Sequence, residues 1–183
     1  AMIVPTRLTK EIRDWCLAKE NLEHFDCKPQ HKSGLSLGIK HLENKKETLK
    51  DFPHTVLKNL STYLLSYYDL PLDTEIEDSF GYLISYSEEG HKVGPHTDPN
   101  KDSEDKIHCR INLIISKPIA GGDPIISDEV YPMLENEVWL CVAGLYVHDI
   151  TITKGDKPRI LISLGYYIDR KVLEDKGWIC QEQ

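Results

Sequence analysis

The spacing of apolar residues changes near residue 75, and this change limits the folds that the chain can adopt. Before that point, apolar residues recur every three to four positions, which predicts one helix over residues 9–18 and another over residues 53–68. Beyond it the period falls towards two, which is typical of β-strands. The predicted strands cover residues 80–86, 107–116, 124–127, 137–143, 146–153 and 159–168.

Helices that precede a series of strands are typical of an α+β fold, with the helices packed on one sheet. The strands are short and separated by turn-rich pieces, which indicates an antiparallel sandwich or barrel. The chain has 183 residues and contains no linker-like segment. We therefore predict a single domain over residues 1–183, with a helical part at about 1–75 and a sheet core at about 76–170.

Charge and cysteine content exclude several classes of protein. The net charge of −8 argues against a nucleic-acid binder that works by bulk charge. Apolar runs are far shorter than the roughly 20 residues that cross a bilayer, and no signal segment is visible, so we expect a cytoplasmic protein without a membrane partner. An odd number of cysteines without a CxxC spacing predicts reduced thiols rather than disulfides or a cysteine zinc site. These are Cys16, Cys27, Cys109, Cys141 and Cys180.

One histidine–carboxylate pair stands out as a candidate metal site. His96 and Asp98 are two residues apart, so on an extended segment they point to one face. Neutral imidazole and carboxylate together suit iron, manganese or zinc. The alternative is a turn in which Asp98 caps a local backbone group. The same spacing occurs at His24 and Asp26, and we interpret that copy as unrelated to metal because nothing downstream supports it.

The downstream support for His96 is a second histidine followed by an arginine. A turn at residues 154–157 predicts a hairpin between the strands that carry His148 and Arg159. If residues 155–156 are its centre, His148 pairs with Ser163 and shares its face with Arg159. The two are then roughly 13 Å apart. A small dianion would bridge that gap, with one end on a metal held by His148 and the other on the Arg159 guanidinium.

The order His-x-Asp, long gap, distal His and Arg on the following strand resembles the iron(II)- and 2-oxoglutarate-dependent oxygenases. In this chain it reads His96, Asp98, His148 and Arg159, and the resemblance covers about half of the sequence. It implies a double-stranded β-helix, or jelly-roll, core. It also implies that the first three residues bind iron as a 2-His-1-carboxylate facial triad. Arg159 would bind the distal carboxylate of 2-oxoglutarate, assisted by Ser163.

Further residues resemble two different branches of these oxygenases. Tyr82 and Tyr86 lie on the strand before His96, where prolyl-hydroxylase-like members often have a tyrosine that binds the co-substrate, and a core position is the alternative for each. Arg110 lies on the strand after the His-x-Asp loop, where the aspartyl/asparaginyl-hydroxylase branch has a basic residue. The branch therefore stays open.

The resemblance implies a hydroxylase that converts 2-oxoglutarate and dioxygen to succinate and carbon dioxide while it oxidises an amino-acid, peptidyl or small-molecule substrate. Asp98 favours hydroxylation, because related halogenases lack this carboxylate. Two alternatives are a metal- or ligand-binding jelly-roll module without turnover and a zinc-dependent hydrolase with the same three ligands. Arg159 argues against the hydrolase, because a hydrolase has no evident use for a carboxylate clamp.

Overall fold

The computed structural model describes residues 2–27, 34–38, 49 and 51–180. Within them, the helices are α1 (Lys10–Leu17), α2 (His54–Tyr67) and α3 (Arg170–Asp175), with 3-10 turns at Thr6–Leu8, Lys19–His24 and Asp102–Glu104. The strands are β1 (Met2–Ile3), β2 (Asp26–Cys27), β3 (Gly34–Gly38), β4 (Tyr82–Ser87), β5 (Lys106–Ser116), β6 (Pro124–Ile126), β7 (Glu129–Val130), β8 (Glu137–Cys141), β9 (His148–Ile150) and β10 (Arg159–Asp169).

The two helices predicted from apolar spacing are confirmed, and each buries one stripe of side chains. Helix α1 buries Ile12 and Trp15, three residues apart, and α2 buries Leu57, Leu60 and Leu64. These side chains belong to the same hydrophobic core as the apolar face of the sheet. Amphipathic spacing therefore fixes which side of each helix meets the sheet. None of the described helices is both long and apolar enough to cross a membrane.

The strands form two sheets. The larger sheet has the order β1-β8-β5-β10-β4-β3-β2, and the smaller has the order β7-β6-β9. The centre of the larger sheet is the pair β5 and β10, each eleven residues long and antiparallel to the other. The observed mixture of helices and antiparallel sheets confirms the predicted mixed, sheet-rich fold class.

Side-chain alternation gives the large sheet two different faces. On β10, Ile160 and Ile162 join the hydrophobic core, whereas Arg159, Leu161 and Ser163 line a cavity that the small sheet covers. Alternate residues of a strand point to opposite faces, so a single strand supplies both the core and the polar lining of the cavity.

The predicted hairpin between the strands of His148 and Arg159 is wrong. β9 belongs to the small sheet, where His148 pairs with Ile126. β10 belongs to the large sheet, where Ser163 pairs with Asn112 of β5. The intervening turn carries the chain from one sheet to the other instead of folding it back on its neighbour. His148 and Arg159 thus line one cavity from two different sheets rather than along one ladder.

Three strands lie in the part of the chain for which helices were predicted. β1 and β2 have two residues each, which is too short to show a period of two. β3 has the alternating sequence Gly-Leu-Ser-Leu-Gly and extends the large sheet beyond β4. The predicted helical part at about 1–75 therefore also contributes to the sheet.

Candidate metal centre and adjoining cavity

A short antiparallel bridge places the two candidate histidines side by side. The backbone N–H of His96 donates to the carbonyl of His148 at 3.1 Å, and the N–H of His148 donates back at 2.9 Å. The backbone N–H of Asp98 donates to the carbonyl of Ala143 at 2.8 Å. Backbone hydrogen bonds therefore hold the His-x-Asp segment against the region that carries the distal histidine, about fifty residues later in the chain.

His96, Asp98 and His148 form a compact cluster of three ligand atoms, all within 4.8 Å of one another. The Asp98 carboxylate lies 3.4 Å from Nε2 of His96 and 3.7 Å from Nε2 of His148. In the described part of the chain, no other group of three His, Cys, Asp or Glu residues meets this condition. The predicted trio is brought together in space.

Backbone carbonyls orient both imidazole rings. Nδ1 of His96 lies 2.7 Å from the carbonyl of Gly94, and Nδ1 of His148 lies 2.9 Å from the carbonyl of Tyr146. A carbonyl oxygen only accepts hydrogen bonds, so in the neutral rings Nδ1 carries the proton. The lone pair of each Nε2 then points towards the centre of the cluster, as in a metal-binding histidine.

The electrostatic setting favours an ionised carboxylate and one neutral imidazole, and it favours proton binding at the other imidazole. Burial alone would raise the pKa of Asp98, but the hydrogen bond with His96 and the neighbouring histidines outweigh it and hold this pKa below its usual range. The hydrogen bond to Asp98 raises the pKa of His96. Burial lowers the pKa of His148, so this ring stays neutral. Asp98 and His148 are therefore in the ionisation states that bind a divalent ion, and His96 can bind the same ion once it has lost its proton.

The cluster opens into a cavity of about 260 Å³ between the two sheets. Arg159 lines the same cavity and is 1% exposed. Its Nε donates to the carbonyl of Gly122 at 2.7 Å, and its Nη2 is buried without a hydrogen-bond partner among the described residues. The neighbouring carboxylate of Asp123 is already paired with Lys117. A buried guanidinium that lacks a counter-ion is a site for an anion.

Arg159 keeps its charge at neutral pH. Burial lowers its pKa to about 10, and the field of Asp123 opposes that shift. Gly122 makes the arrangement possible, because a Cβ on this residue would lie 2.6 Å from Cδ of Arg159. The Gly-Gly segment therefore lets the arginine side chain lie directly against the backbone.

A second buried arginine lines the cavity, and its hydrogen bonds are complete. Nε of Arg110 donates to Ser163 Oγ at 2.6 Å, and its Nη1 reaches Glu77 at 3.1 Å and His108 at 3.0 Å. Its Nη2 donates to the carbonyls of Gly81 and Ser163. A guanidinium has five N–H donors, and five acceptors surround this one. Arg110 therefore has no donor left for a ligand.

The structure places Ser163 in the cavity and gives its hydroxyl a hydrogen-bond partner other than Arg159. Its hydroxyl was expected to assist Arg159, but Oγ accepts the hydrogen bond from Nε of Arg110. Ser163 lies four residues from Arg159 on β10, whereas Arg110 lies on the adjacent strand, two residues before Asn112, the register partner of Ser163. The cross-strand neighbour thus takes the hydroxyl.

The predicted role of Tyr82 and Tyr86 in binding the co-substrate is not supported. Both side chains lie on the face of β4 away from the cavity, which Leu83 and Ser85 line instead. The Tyr82 hydroxyl lies 2.7 Å from that of Tyr166, and the ring of Tyr86 packs on Phe25. These tyrosines pack against the core, which was the alternative interpretation of the sequence.

Several cavity residues were not selected from the sequence. Asn112 follows Arg110 at a spacing of two, so the period of β5 would have placed both on one face. Trp139 also lines the cavity, and the sequence offered no reason to assign it a role in the site. The second His-x-Asp copy gives the expected contrast, because His24 stacks on Trp15 and takes no part in the ligand cluster.

Comparisons with known proteins identify the fold. No protein-family model matches the sequence, and no curated protein matches it. Among solved structures, the chain is similar to HygX from Streptomyces hygroscopicus with nickel and 2-oxoglutarate bound, at 11% identity and a TM-score of 0.55. This match covers 92% of this chain and 82% of that one.

Two further solved structures match over most of their length. A Pseudomonas putida prolyl-4-hydroxylase shares 12% identity with a TM-score of 0.53, covering 93% of this chain and 90% of that one. A 2OG-Fe(II) oxygenase family protein from Burkholderia pseudomallei shares 10% identity with a TM-score of 0.51, covering 90% and 83%. The resemblance seen in the sequence is therefore confirmed at the level of the fold, which this chain shares with HygX, the prolyl-4-hydroxylase and the 2OG-Fe(II) oxygenase family protein.

Proposed function

We propose that the protein is an iron(II)- and 2-oxoglutarate-dependent oxygenase whose two sheets form a single domain with a double-stranded β-helix core. One observation carries the proposal. A cluster of two histidines and one aspartate, and a buried arginine with an unpartnered Nη2, line the same cavity. A metal site alone fits many proteins, and a buried arginine alone fits many others. Together they fit a ligand that chelates a metal at one end and carries a carboxylate at the other.

His96, Asp98 and His148 would hold the metal. Two imidazole nitrogens and one carboxylate oxygen are the donor set of the facial triads that bind iron(II), and they leave coordination positions open on one side. Iron(II) bound here would supply the redox chemistry by which dioxygen oxidises 2-oxoglutarate to succinate and carbon dioxide while its second oxygen atom hydroxylates the substrate. Asp98 fills the position that halide needs in related halogenases, which favours hydroxylation.

Arg159 would bind the distal carboxylate of 2-oxoglutarate. Its planar fork matches a carboxylate in two parallel hydrogen bonds, and the bound anion would supply the counter-ion that the guanidinium lacks. The hydrogen bond from Nε to Gly122 holds the side chain in place before the ligand arrives. Leu161 follows Arg159 on the cavity face of β10 and presents an apolar wall that excludes water.

The proposed substrate is an amino acid, a peptidyl residue or another small molecule. HygX, one of the proteins with this fold, has been solved with nickel, 2-oxoglutarate and hygromycin B bound, and another is a prolyl-4-hydroxylase. The lining of the cavity of about 260 Å³ includes Phe80, which is 38% exposed, and Val93, which is partly exposed. We propose that the substrate enters beside these two residues.

Oxygen-dependent formation of succinate tests the proposal. The protein is loaded with iron(II) under argon, mixed with 2-oxoglutarate and a substrate panel, and exposed to oxygen. We expect succinate from the wild type and from His24→Ala, whose histidine sits outside the cluster, and none from His96→Ala. A passive binding module would form no succinate with any substrate. A hydrolase would work with zinc and without oxygen, and either result would overturn the proposal.

A further inference from the structure

Behind the candidate metal ligand Asp98 lies a buried polar network that the proposed chemistry does not use. It consists of Glu77, Asn100, His108 and Arg110, and three of these four residues are buried. We propose that His108, held by Arg110, is a positioning residue that fixes the Asp98 segment for metal binding. This inference takes the His96, Asp98 and His148 cluster as the metal site and is otherwise independent of the proposed reaction.

The hydrogen bonds of His108 define which nitrogen carries its proton. Nδ1 lies 3.1 Å from the carbonyl of Pro99, and Nε2 lies 3.0 Å from Nη1 of Arg110. The carbonyl only accepts and the guanidinium only donates, so Nδ1 holds the proton and Nε2 accepts. Burial lowers the pKa of His108, in keeping with a neutral ring. The imidazole is thus locked in one tautomer and one orientation.

Nε2 of the ring lies 3.9 Å from the Asp98 carboxylate, beyond hydrogen-bond distance, and the hydrogen bonds that link His108 to the Asp98 segment run through the backbone. The Pro99 carbonyl that it binds belongs to the residue directly after Asp98, while the N–H of Asp98 donates to Ala143. The next residue, Asn100, accepts the backbone N–H of His108 at 2.9 Å through its side-chain oxygen. Three successive residues are therefore tied to fixed parts of the fold, and the carboxylate has little freedom to move relative to the two imidazoles.

The far side of Asn100 is equally constrained. Its side-chain amide donates to the carbonyl of Gly144 at 3.0 Å, and a Cβ on Gly144 would lie 1.6 Å from the Asn100 oxygen. The N–H of Gly144 returns a hydrogen bond to the carbonyl of His108. His108, Asn100 and Gly144 thus close a ring of hydrogen bonds beside the Asp98 segment.

Arg110 holds the His108 ring from behind and needs no ligand to do so. Its charge is balanced by Glu77, whose side chain is fully buried and lies 3.1 Å away. Three backbone N–H groups, those of Ser79, Phe80 and Gly81, donate to the same carboxylate. Burial alone would raise the pKa of Glu77, but the hydrogen bonds from Phe80 and Ser79 help to hold it below its usual range. The network is complete in itself, which is the property expected of a support rather than of a binding group.

Metal affinity should depend on this support. Groups that orient metal ligands from behind typically change affinity about 10- to 100-fold when they are replaced. Two substitutions of His108 separate its contacts. The amide of an asparagine side chain reaches the position of Nδ1, whereas that of a glutamine reaches the position of Nε2. His108→Asn can keep the bond to Pro99, and His108→Gln can keep only the bond to Arg110.

The experiment measures Mn²⁺ affinity by electron paramagnetic resonance, without 2-oxoglutarate or oxygen. We expect His108→Gln to weaken binding about tenfold or more, and His108→Asn to stay within about threefold of wild type. Thermal unfolding checks that both variants are folded. If His108→Gln does not fold, Asn100→Ala replaces it. This change removes the side-chain hydrogen bonds of Asn100 to His108 and Gly144, and Asn100 is partly exposed.

A double-mutant cycle with Asp98→Ala shows whether the effect passes through Asp98. If His108 acts by positioning that carboxylate, His108→Gln costs little further affinity once the carboxylate is gone. Equal losses of affinity with and without Asp98, or equal affinities for the Asn and Gln variants, would overturn the inference. A wild type that binds no Mn²⁺ would instead overturn the proposed metal site, so the two failures are distinguishable.

Discussion

Arg110 and Arg159 lie on neighbouring strands, are both buried, and line the same cavity. Arg110 donates to five acceptors of the protein and is paired with Glu77. Arg159 donates from Nε to one carbonyl, and its Nη2 has no partner in the described residues. Burial alone thus says little about what a charged side chain does. The acceptors around it decide whether it supports the fold or is available to a ligand.

The local backbone explains how each arginine is accommodated. Arg110 lies opposite Gly165 in the register, and a Cβ on Gly165 would lie 2.4 Å from its Nη1 and 2.7 Å from Cγ of Glu77. This glycine leaves the space that the ion pair fills. Arg159 begins its strand beside Gly122, where the chain offers one carbonyl, and the neighbouring carboxylate of Asp123 is taken by Lys117.

Loss of Arg110 should have the largest effect, and it should be an effect on stability. Arg110→Ala leaves the Glu77 carboxylate buried without its cation, and breaking a buried ion pair in this way typically costs about 3–5 kcal/mol. Denaturant unfolding measures the free energy. Arg159→Ala is the matched control, since it removes one hydrogen bond and should cost about 1 kcal/mol. Equal losses for the two variants would contradict the distinction between them.

Loss of Arg159 should act on 2-oxoglutarate instead. Arg159→Ala leaves the distal carboxylate of the co-substrate without its cation, and losing one partner of a buried charge pair costs about 2–5 kcal/mol. Affinity should fall about thirtyfold to several thousandfold, while Mn²⁺ affinity stays unchanged. Calorimetric titration of the metal-loaded protein measures the affinity for 2-oxoglutarate, and titration of the metal-free protein measures the affinity for Mn²⁺. Arg159→Lys should restore only part of the loss, because an ammonium group lacks the fork. Unchanged affinity in Arg159→Ala would exclude this residue as the clamp.

Gly122→Ala tests the same clamp more gently. The new Cβ would meet Cδ of Arg159, so the guanidinium must shift. We expect 2-oxoglutarate affinity to fall about tenfold, because misplacing the guanidinium should cost about 1.4 kcal/mol of binding free energy. Gly90→Ala is the control, because Gly90 also has a positive φ but a Cβ on it would meet no atom within 4 Å. If both substitutions weaken 2-oxoglutarate equally, backbone strain and not the arginine contact explains the result.

The smallest expected effect is that of pH on the affinity for the metal. Metal binding needs neutral imidazoles, and the hydrogen bond to Asp98 raises the pKa of His96. Protons therefore compete with the metal first at His96, above the ordinary histidine pKa of about 6.5, and affinity falls as the pH drops through that raised pKa. His148, with its lowered pKa, should join only at lower pH. Mn²⁺ titrations between about pH 5 and 8, the range in which histidines titrate, measure this, and affinity that is independent of pH would contradict it.

The sequence predicts the candidate metal ligands and Arg159 because their residue types are chemically distinctive and their order along the chain resembles that of a known family. It does not predict the partners of Arg110, since Glu77 lies 33 residues away and no short pattern links the two. The hairpin register fails because a three-residue strand such as β9 pairs wherever a partner is available, and the turn that follows it suits a hairpin and a sheet crossing equally.

The prediction that Tyr82 and Tyr86 bind the co-substrate fails for a related reason. Both faces of β4 are covered, one by the core and one by the cavity side, so alternation shows that Tyr82 and Tyr86 share a face without showing which face it is. Only the packing of Tyr86 on Phe25, which comes from a distant part of the chain, decides the question. Residue types thus predict the candidate site, whereas long-range packing decides which other residues contact its side chains.

The most direct test of the account is the thermodynamic coupling between metal and 2-oxoglutarate. If the histidine–aspartate cluster and Arg159 bind opposite ends of one molecule, Mn²⁺ should strengthen 2-oxoglutarate binding by about 5- to 150-fold, and 2-oxoglutarate should strengthen Mn²⁺ binding by the same factor. Calorimetric titrations of wild type in both orders under argon give the two factors. Equal 2-oxoglutarate affinity with and without metal would contradict the account, because the two ends would then not share a ligand.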